Sequence, residues 1–243
     1  MLKTTIIIPT YNEADNLARL VPLLLNLPVP DLNILVVDDG SPDGTGDLAE
    51  ALSVEWNGRV RVIHRSGKQG LGTAYIQGFR ECLAHGEEAI GQMDADFSHP
   101  PEKILELLET LKSCDIAIGS RYVPGGSLDV NWPAWRKVLS GFGNFYARTI
   151  LGLPIRDVTG GFRLWRRETL AALPLNRVRS NGYVFQVEMA YLAHRLGFSF
   201  REIPIYFAER QHGKSKMSFR IQAEAALRVW LLPSRYRDLR PVK

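Results

Sequence analysis

Ile34-Leu35-Val36-Val37-Asp38-Asp39-Gly40-Ser41 is an apolar, largely β-branched run that stops at two carboxylates and a glycine turn. Such a run reads as a buried strand, and carboxylates just past its end sit where an open α/β sheet binds its ligands. The same form recurs outward from it. Ile6-Ile7-Ile8 ends at Pro9-Thr10-Tyr11-Asn12-Glu13, and the strand pattern from Ala89 to Met93 ends at Asp94-Ala95-Asp96. Val60 to Ile63 and Asp115 to Gly119 read as further strands. Helical spacing fills the intervals: Leu17, Leu20 and Leu24; Leu48 to Leu52; Thr73 to Leu83; and Ile104, Leu107, Leu108 and Leu111 after Pro100-Pro101. Strand alternating with helix predicts an α/β fold with a doubly wound, mostly parallel sheet.

Beyond Arg121 the rhythm changes. The segment from Val123 to Trp132 is rich in Pro, Gly and polar residues and reads as a loop; Trp135 to Leu151 interleaves aromatic and basic residues. A strand is expected over Phe200 to Phe207, and a last helix over Met217 to Leu232, closed by Pro233. This divides the chain into a catalytic domain over 1–216, with an acceptor loop and interfacial helix at 123–151, and a C-terminal amphipathic helix with a basic tail at 217–243.

Composition narrows the function. The 243 residues are 45% hydrophobic and 23% charged, ordinary values for a globular chain with a sizeable core. Lys and Arg number 30 against 26 Asp and Glu, a net +4, which suits phosphorylated substrates or an anionic surface and is too slight to indicate nucleic acid. The two cysteines, Cys82 and Cys114, form no CxxC pair, so neither a disulfide framework nor a structural zinc site is expected. No signal peptide precedes the first strand, and no apolar run reaches the ~18–20 residues that cross a bilayer. A cytoplasmic protein able to touch a membrane surface is the expectation.

Asp94 and Asp96 lie two apart in an extended segment and so can address one ion together; such hard oxygen ligands suit Mg2+ or Mn2+ bridged to phosphate. The competing use of Asp96 or Ser98 is to cap the helix after Pro100. An EF-hand fails, since its sixth position is His99 and its twelfth Leu105. Gly67-Lys68-Gln69-Gly70-Leu71-Gly72 lacks the closing Gly-Lys-Ser/Thr of a P-loop, and no Gly-x-Gly-x-x-Gly follows the first strand. Cations complement the acids: Arg121 follows a strand, and Arg210, Lys214 and Lys216 surround Gly213 in a segment that reads as a solvated basic loop or a flexible phosphate clamp.

Taken together, the segments Ile6 to Glu13, Val36 to Thr45, Met93 to Glu102, Gly119 to Tyr122 and Arg210 to Lys216 resemble the family 2 glycosyltransferases of GT-A fold. Within them the Asp-Ala-Asp-x-x-His-Pro-Pro-Glu block and the final Gly-Lys-Ser-Lys resemble the polyprenol (dolichol) phosphate mannose synthase branch. The resemblance implies transfer of mannose from GDP-mannose to a polyprenyl phosphate, with inversion at the sugar carbon. It implies a guanosine pocket at Pro9, Tyr11, Glu13, Asp38 and Asp39, nucleotide-sugar contacts continuing at Asp94, Ala95 and Asp96, and a divalent cation on the diphosphate held by Asp94 and Asp96. Ser98 stands where similar enzymes place a glutamine that also reaches the metal. Arg121, Arg210 and Lys216 would contact donor and acceptor phosphates, and Arg136 would belong to the acceptor loop. Asp157-Val158-Thr159-Gly160-Gly161-Phe162-Arg163 reads either as acceptor-side or as a glycine turn before a strand, and Glu188 is equally open. UDP-glucose as donor and a silent nucleotide-sugar or lipid-binding module are the competing functions. Membrane contact would run through Trp132, Trp135, Arg136, Lys137, Phe142, Phe145, Tyr146 and Arg148, and through the last helix, directly or with a membrane-anchoring protein partner.

Overall fold

The computed structural model describes residues 2–209 and 219–242, and side chains over 2–209 and 226–242. Its elements are β1 (Thr4–Thr10), α1 (Ala14–Leu25), β2 (Leu32–Asp38), α2 (Thr45–Glu55), β3 (Val60–His64), α3 (Leu71–His85), β4 (Ala89–Gln92), α4 (Lys103–Leu111) and β5 (Ile116–Ser120). There follow β6 (Ser127–Leu128), α5 (Ala134–Leu151), β7 (Arg163–Arg166), α6 (Arg167–Ala172), α7 (Tyr183–Arg195), β8 (Phe200–Pro204), β9 (Tyr206–Phe207) and α8 (Phe219–Arg235).

Seven strands form one sheet in the order β3-β2-β1-β4-β7-β5-β8, and all are parallel except β7, which pairs antiparallel with both β4 and β5. The expected doubly wound, mostly parallel sheet is therefore present. Its central strands are apolar on both faces because helices cover both. Ile7 faces a core shared with α3 and α7, while Ile6 and Ile8 face one shared with α1 and α4. Successive side chains alternate across the sheet, so one short run serves two cores.

Two elements differ from expectation. The strand over Phe200 to Phe207 is two, since β8 joins the main sheet and β9 pairs with β6, a short strand inside the Val123 to Trp132 segment. The last helix continues through Pro233 to Arg235. Its end is pinned from outside the helix: Arg177 binds Asp238 through both guanidinium nitrogens and the Arg235 carbonyl, and the Tyr236 hydroxyl donates to Glu188 at 2.7 Å. Val229, Leu232 and Tyr236 are buried in the same core as Ile7, so α8 packs as part of the main body. No described helix is long and apolar enough to cross a membrane.

Candidate active site

The parallel strands place their carboxyl ends at one edge. Thr10 lies in register with Asp38, and Ile7 with Gln92, so Pro9, Asp38–Asp39 and Asp94–Asp96 project from three adjacent strands. The first two loops are laced together. Asp38 accepts from the Thr10 hydroxyl at 3.0 Å and from the Ser41 hydroxyl at 2.5 Å, while Ser41 Oγ accepts from the Asn12 amide. The Glu13 and Ala14 amides donate to Thr45 and Asp43, and Glu13 itself binds the Asn16 side chain at 2.7 Å. Asp38 is therefore a buried loop anchor as well as a site carboxylate. Asp39 is paired with buried Arg65, which also reaches Gln69 and Thr73 at the start of α3. Tyr11 is exposed, with the Lys68 ammonium 4.1 Å above its ring.

At the third strand end, buried Asp96 Oδ1 accepts from both the amide and the hydroxyl of Ser98, at 3.1 and 2.5 Å. This closes a tight turn with Phe97 at φ 61°, a left-handed conformation uncommon for an aromatic residue. Asp96 thus closes a turn two residues long and does not cap the helix after Pro100, since α4 starts at Lys103 behind Glu102 with no side-chain cap. Ser98, the candidate third ligand, spends its hydroxyl on Asp96 and is fully buried. The Asp94 amide donates to His99 Nδ1 at 3.0 Å, and the Tyr75 hydroxyl donates to Asp94 Oδ1 at 3.4 Å. The His99 ring is wholly buried against Phe162, and burial pulls its pKa down despite the two nearby aspartates, so it accepts as a neutral imidazole.

Among the described residues no three His, Cys, Asp or Glu side chains cluster as a metal cage. A pair of carboxylates on one turn fits Mg2+ or Mn2+ of the kind completed by substrate phosphates, since these ions are held through one or two carboxylates plus phosphate oxygens.

The cations are arranged differently from expectation. Arg121 is buried, and its guanidinium grips Asp157 through Nε and Nη2 at 2.7 and 2.6 Å, with Thr159 at 2.8 Å. Asp157 also takes the Arg121 and Gly160 amides. Burial opposes ionisation of both, and the pairing outweighs it, raising the Arg121 pKa and lowering that of Asp157. Arg121, expected at phosphate, is held by this internal carboxylate through Nε and Nη2. Arg163 completes this turn from below, donating to the carbonyls of Gly160, Val158 and Gln186; burial drops its pKa to about 10. Arg136 lies flat on Trp132, 3.6 Å from the ring centroid, and 3.7 Å from Glu209. Arg210 and Lys216 lie outside the described residues. Arg65, Tyr75 and Asp157 are the members that motif reading did not assign; each is a buried partner of a site residue, and only the polar residues at strand ends offered a signal.

Carboxylates at three adjacent strand ends mark the edge where an open α/β sheet binds its ligands. The chain belongs to glycosyl transferase family 2, whose sequence model matches residues 5–173. It is 47% identical over 241 residues to undecaprenyl-phosphate mannosyltransferase of Micrococcus luteus, covering 98% of both chains. It is 48% identical over 228 residues to polyprenol monophosphomannose synthase of Mycolicibacterium smegmatis, covering 93% of this chain and 85% of that one.

Solved structures agree on the fold. A glucosyl-3-phosphoglycerate synthase from Mycobacterium tuberculosis, in complex with Mn2+, UDP and glucosyl-3-phosphoglycerate, superposes with a TM-score of 0.65 at 17% identity over 96% of this chain and 80% of that one. A mannosyltransferase from Pyrobaculum calidifontis, in complex with GDP-mannose and Mn2+, gives 0.61 at 17% identity over 96% and 64%. The fold is GT-A.

Proposed function

We propose that this chain transfers mannose from GDP-mannose to a polyprenyl phosphate, releasing GDP. The observation that carries the reading is the acidic edge itself, lying in a chain nearly half identical, over its whole length, to mannosyltransferases that use such lipids. Asp38, Asp39, Pro9, Tyr11 and Glu13 receive the nucleoside, and Asp94 with Asp96 face its diphosphate. A divalent cation bound at these aspartates supplies positive charge to the departing diphosphate. A lipid monophosphate has a second pKa near 6 and is largely ionised at neutral pH, so the acceptor needs no strong base. Positioning and charge then suffice, with attack opposite the leaving group inverting the sugar carbon. In this reading Arg121, Arg136, Arg210 and Lys216 contact the phosphates of donor and acceptor.

The acceptor's lipid tail requires contact with a bilayer, and α5 and α8 offer the surface. Trp135, Val138, Phe142 and Phe145 recur at helical spacing on α5 and are all exposed, while the face turned inward carries Asn144, Ala147 and Leu151. On α8, Leu227, Trp230 and Leu231 are exposed, and Trp230 Nε1 donates to the Tyr146 hydroxyl at 2.8 Å, joining the two helices. Lys137, Arg148 and Arg228 interleave with this apolar face, as an anionic membrane surface demands.

The test is transfer of labelled sugar from GDP-mannose, with UDP-glucose in parallel, into extractable polyprenyl phosphate, with Mn2+ or Mg2+ present and then chelated. Metal-dependent labelling from GDP-mannose alone is expected. Labelling from UDP-glucose alone replaces the sugar, and none from either donor by folded protein that binds GDP overturns the reading.

A further inference from the structure

Tyr75 sits on α3, away from every motif at the strand ends, and its side chain is wholly buried. Its ring stacks on Phe185 of α7, centroids 5.8 Å apart and planes 4° from parallel, and on Phe79 at 6.1 Å. A phenolic hydroxyl at that depth either finds an acceptor or carries an uncompensated desolvation cost. It meets Asp94 Oδ1 at 3.4 Å. Hydrogen bonds of a site are often long before its ligand arrives and tighten with it.

Gly78, about one turn further along α3, lets the helix bring Tyr75 there. A Cβ on Gly78 would lie 2.7 Å from Ile7 Cγ2, so the missing side chain lets α3 ride directly on β1. From that height the first turn of α3 reaches across to the end of β4, the neighbour of β1 in the sheet. The turn it meets is independently fixed, with the Asp94 amide on His99 and Asp96 on Ser98. Within this turn, Tyr75 Oη meets the carboxylate of Asp94 itself, at Oδ1.

We propose that Tyr75 is a positioning residue for the site: its buried hydroxyl holds the Asp94 carboxylate in the orientation that receives a divalent cation together with Asp96. This rests on the cation-dependent transfer proposed above and names the residue that tunes it. Partners of ligating side chains commonly change metal affinity by 10–100-fold when removed. A hydroxyl that merely fills the core would change stability and leave cation affinity alone.

Tyr75→Phe separates the two, because it removes one oxygen and keeps the stacked rings. Free Mn2+ is followed by electron paramagnetic resonance while full-length protein is titrated in the presence of GDP. Tyr75→Phe is expected to weaken Mn2+ binding about 10–100-fold, and its transfer rate to recover as Mn2+ is raised. Phe79→Leu loosens the same packing without touching the hydroxyl; it is expected to lower the melting temperature and keep Mn2+ affinity within about twofold. Wild-type Mn2+ affinity in Tyr75→Phe, or an equal loss in Phe79→Leu, overturns the proposal. Wild-type protein that binds GDP but no Mn2+ fails the cation-dependent reading itself and takes the proposal with it, a result distinct from both.

Discussion

The two halves of the sheet edge hold charge in opposite ways. At β1, β2 and β4 the carboxylates stand at strand ends, with neutral partners such as Thr10, Ser41, Ser98 and Tyr75 and with Arg65 on Asp39. At β5 and the turn before β7, cation and carboxylate have met each other inside the protein, Arg121 on Asp157. In the proposed function the first half faces a charged ligand, whereas the second holds a buried charge pair, Arg121 on Asp157.

The contrast is broken most severely on the acidic side. Asp96→Asn keeps an acceptor for Ser98 and removes the charge, so kcat/KM is expected to fall on the order of 10^3-fold, with a melting temperature close to wild type. Radiolabelled transfer and a thermal melt check this together. On the β5 side the effect is expected in stability. Asp157→Asn leaves the Arg121 guanidinium buried without its counter-charge, at a cost of about 3–5 kcal/mol, read as a lower urea midpoint. Replacing both partners, Arg121→Met with Asp157→Leu, is expected to recover much of that loss.

A third measurement lies outside both halves. Trp135→Ser with Phe142→Ser removes two exposed aromatic groups from α5, and each such group contributes roughly 1.5–3 kcal/mol when buried in an apolar phase. Sedimentation with anionic vesicles is expected to drop about 10-fold or more, while binding of GDP stays unchanged. The smallest effect sharpens the comparison by pH. The Asp157 pKa in the folded protein lies below its ordinary 3.8, with burial opposing the shift and Arg121 driving it. A depressed carboxylate contributes stability that is present above its unfolded pKa and lost as pH falls through the folded one. The stability gap between wild type and Asp157→Asn is therefore expected to be constant near neutrality and to narrow below about pH 4, measured by urea unfolding at each pH.

Much of this was legible in the residues. The β-branched runs ending at Asp38–Asp39 and Asp94 carried the sheet and its edge, because burial on both faces leaves a continuous apolar signature. Arg121 was visible as a charge but its partner was not, since Asp157 lies 36 residues on and only the insertion of β7 brings that turn beneath it. Periodicity on α5 gave a stripe without a direction: its aromatic side faces out and a side with Asn144 and Ala147 faces in, the reverse of an ordinary surface helix. Pro233 marked a helix end by local chemistry, and the Arg177, Glu188 and Tyr236 contacts carried the helix past it.

The place of β7 also sets an order of assembly during synthesis. Four strands, β3-β2-β1-β4, can close as soon as residue 92 is made, but β5 has no neighbour among them; it pairs only with β7 and β8. On a ribosome moving at about 5–20 residues per second, the stretch from 121 to 162 takes roughly 2–8 s. For that interval the nascent chain carries one side of β4 as an open template and β5 as a loose apolar segment, an exposed edge open to mispairing.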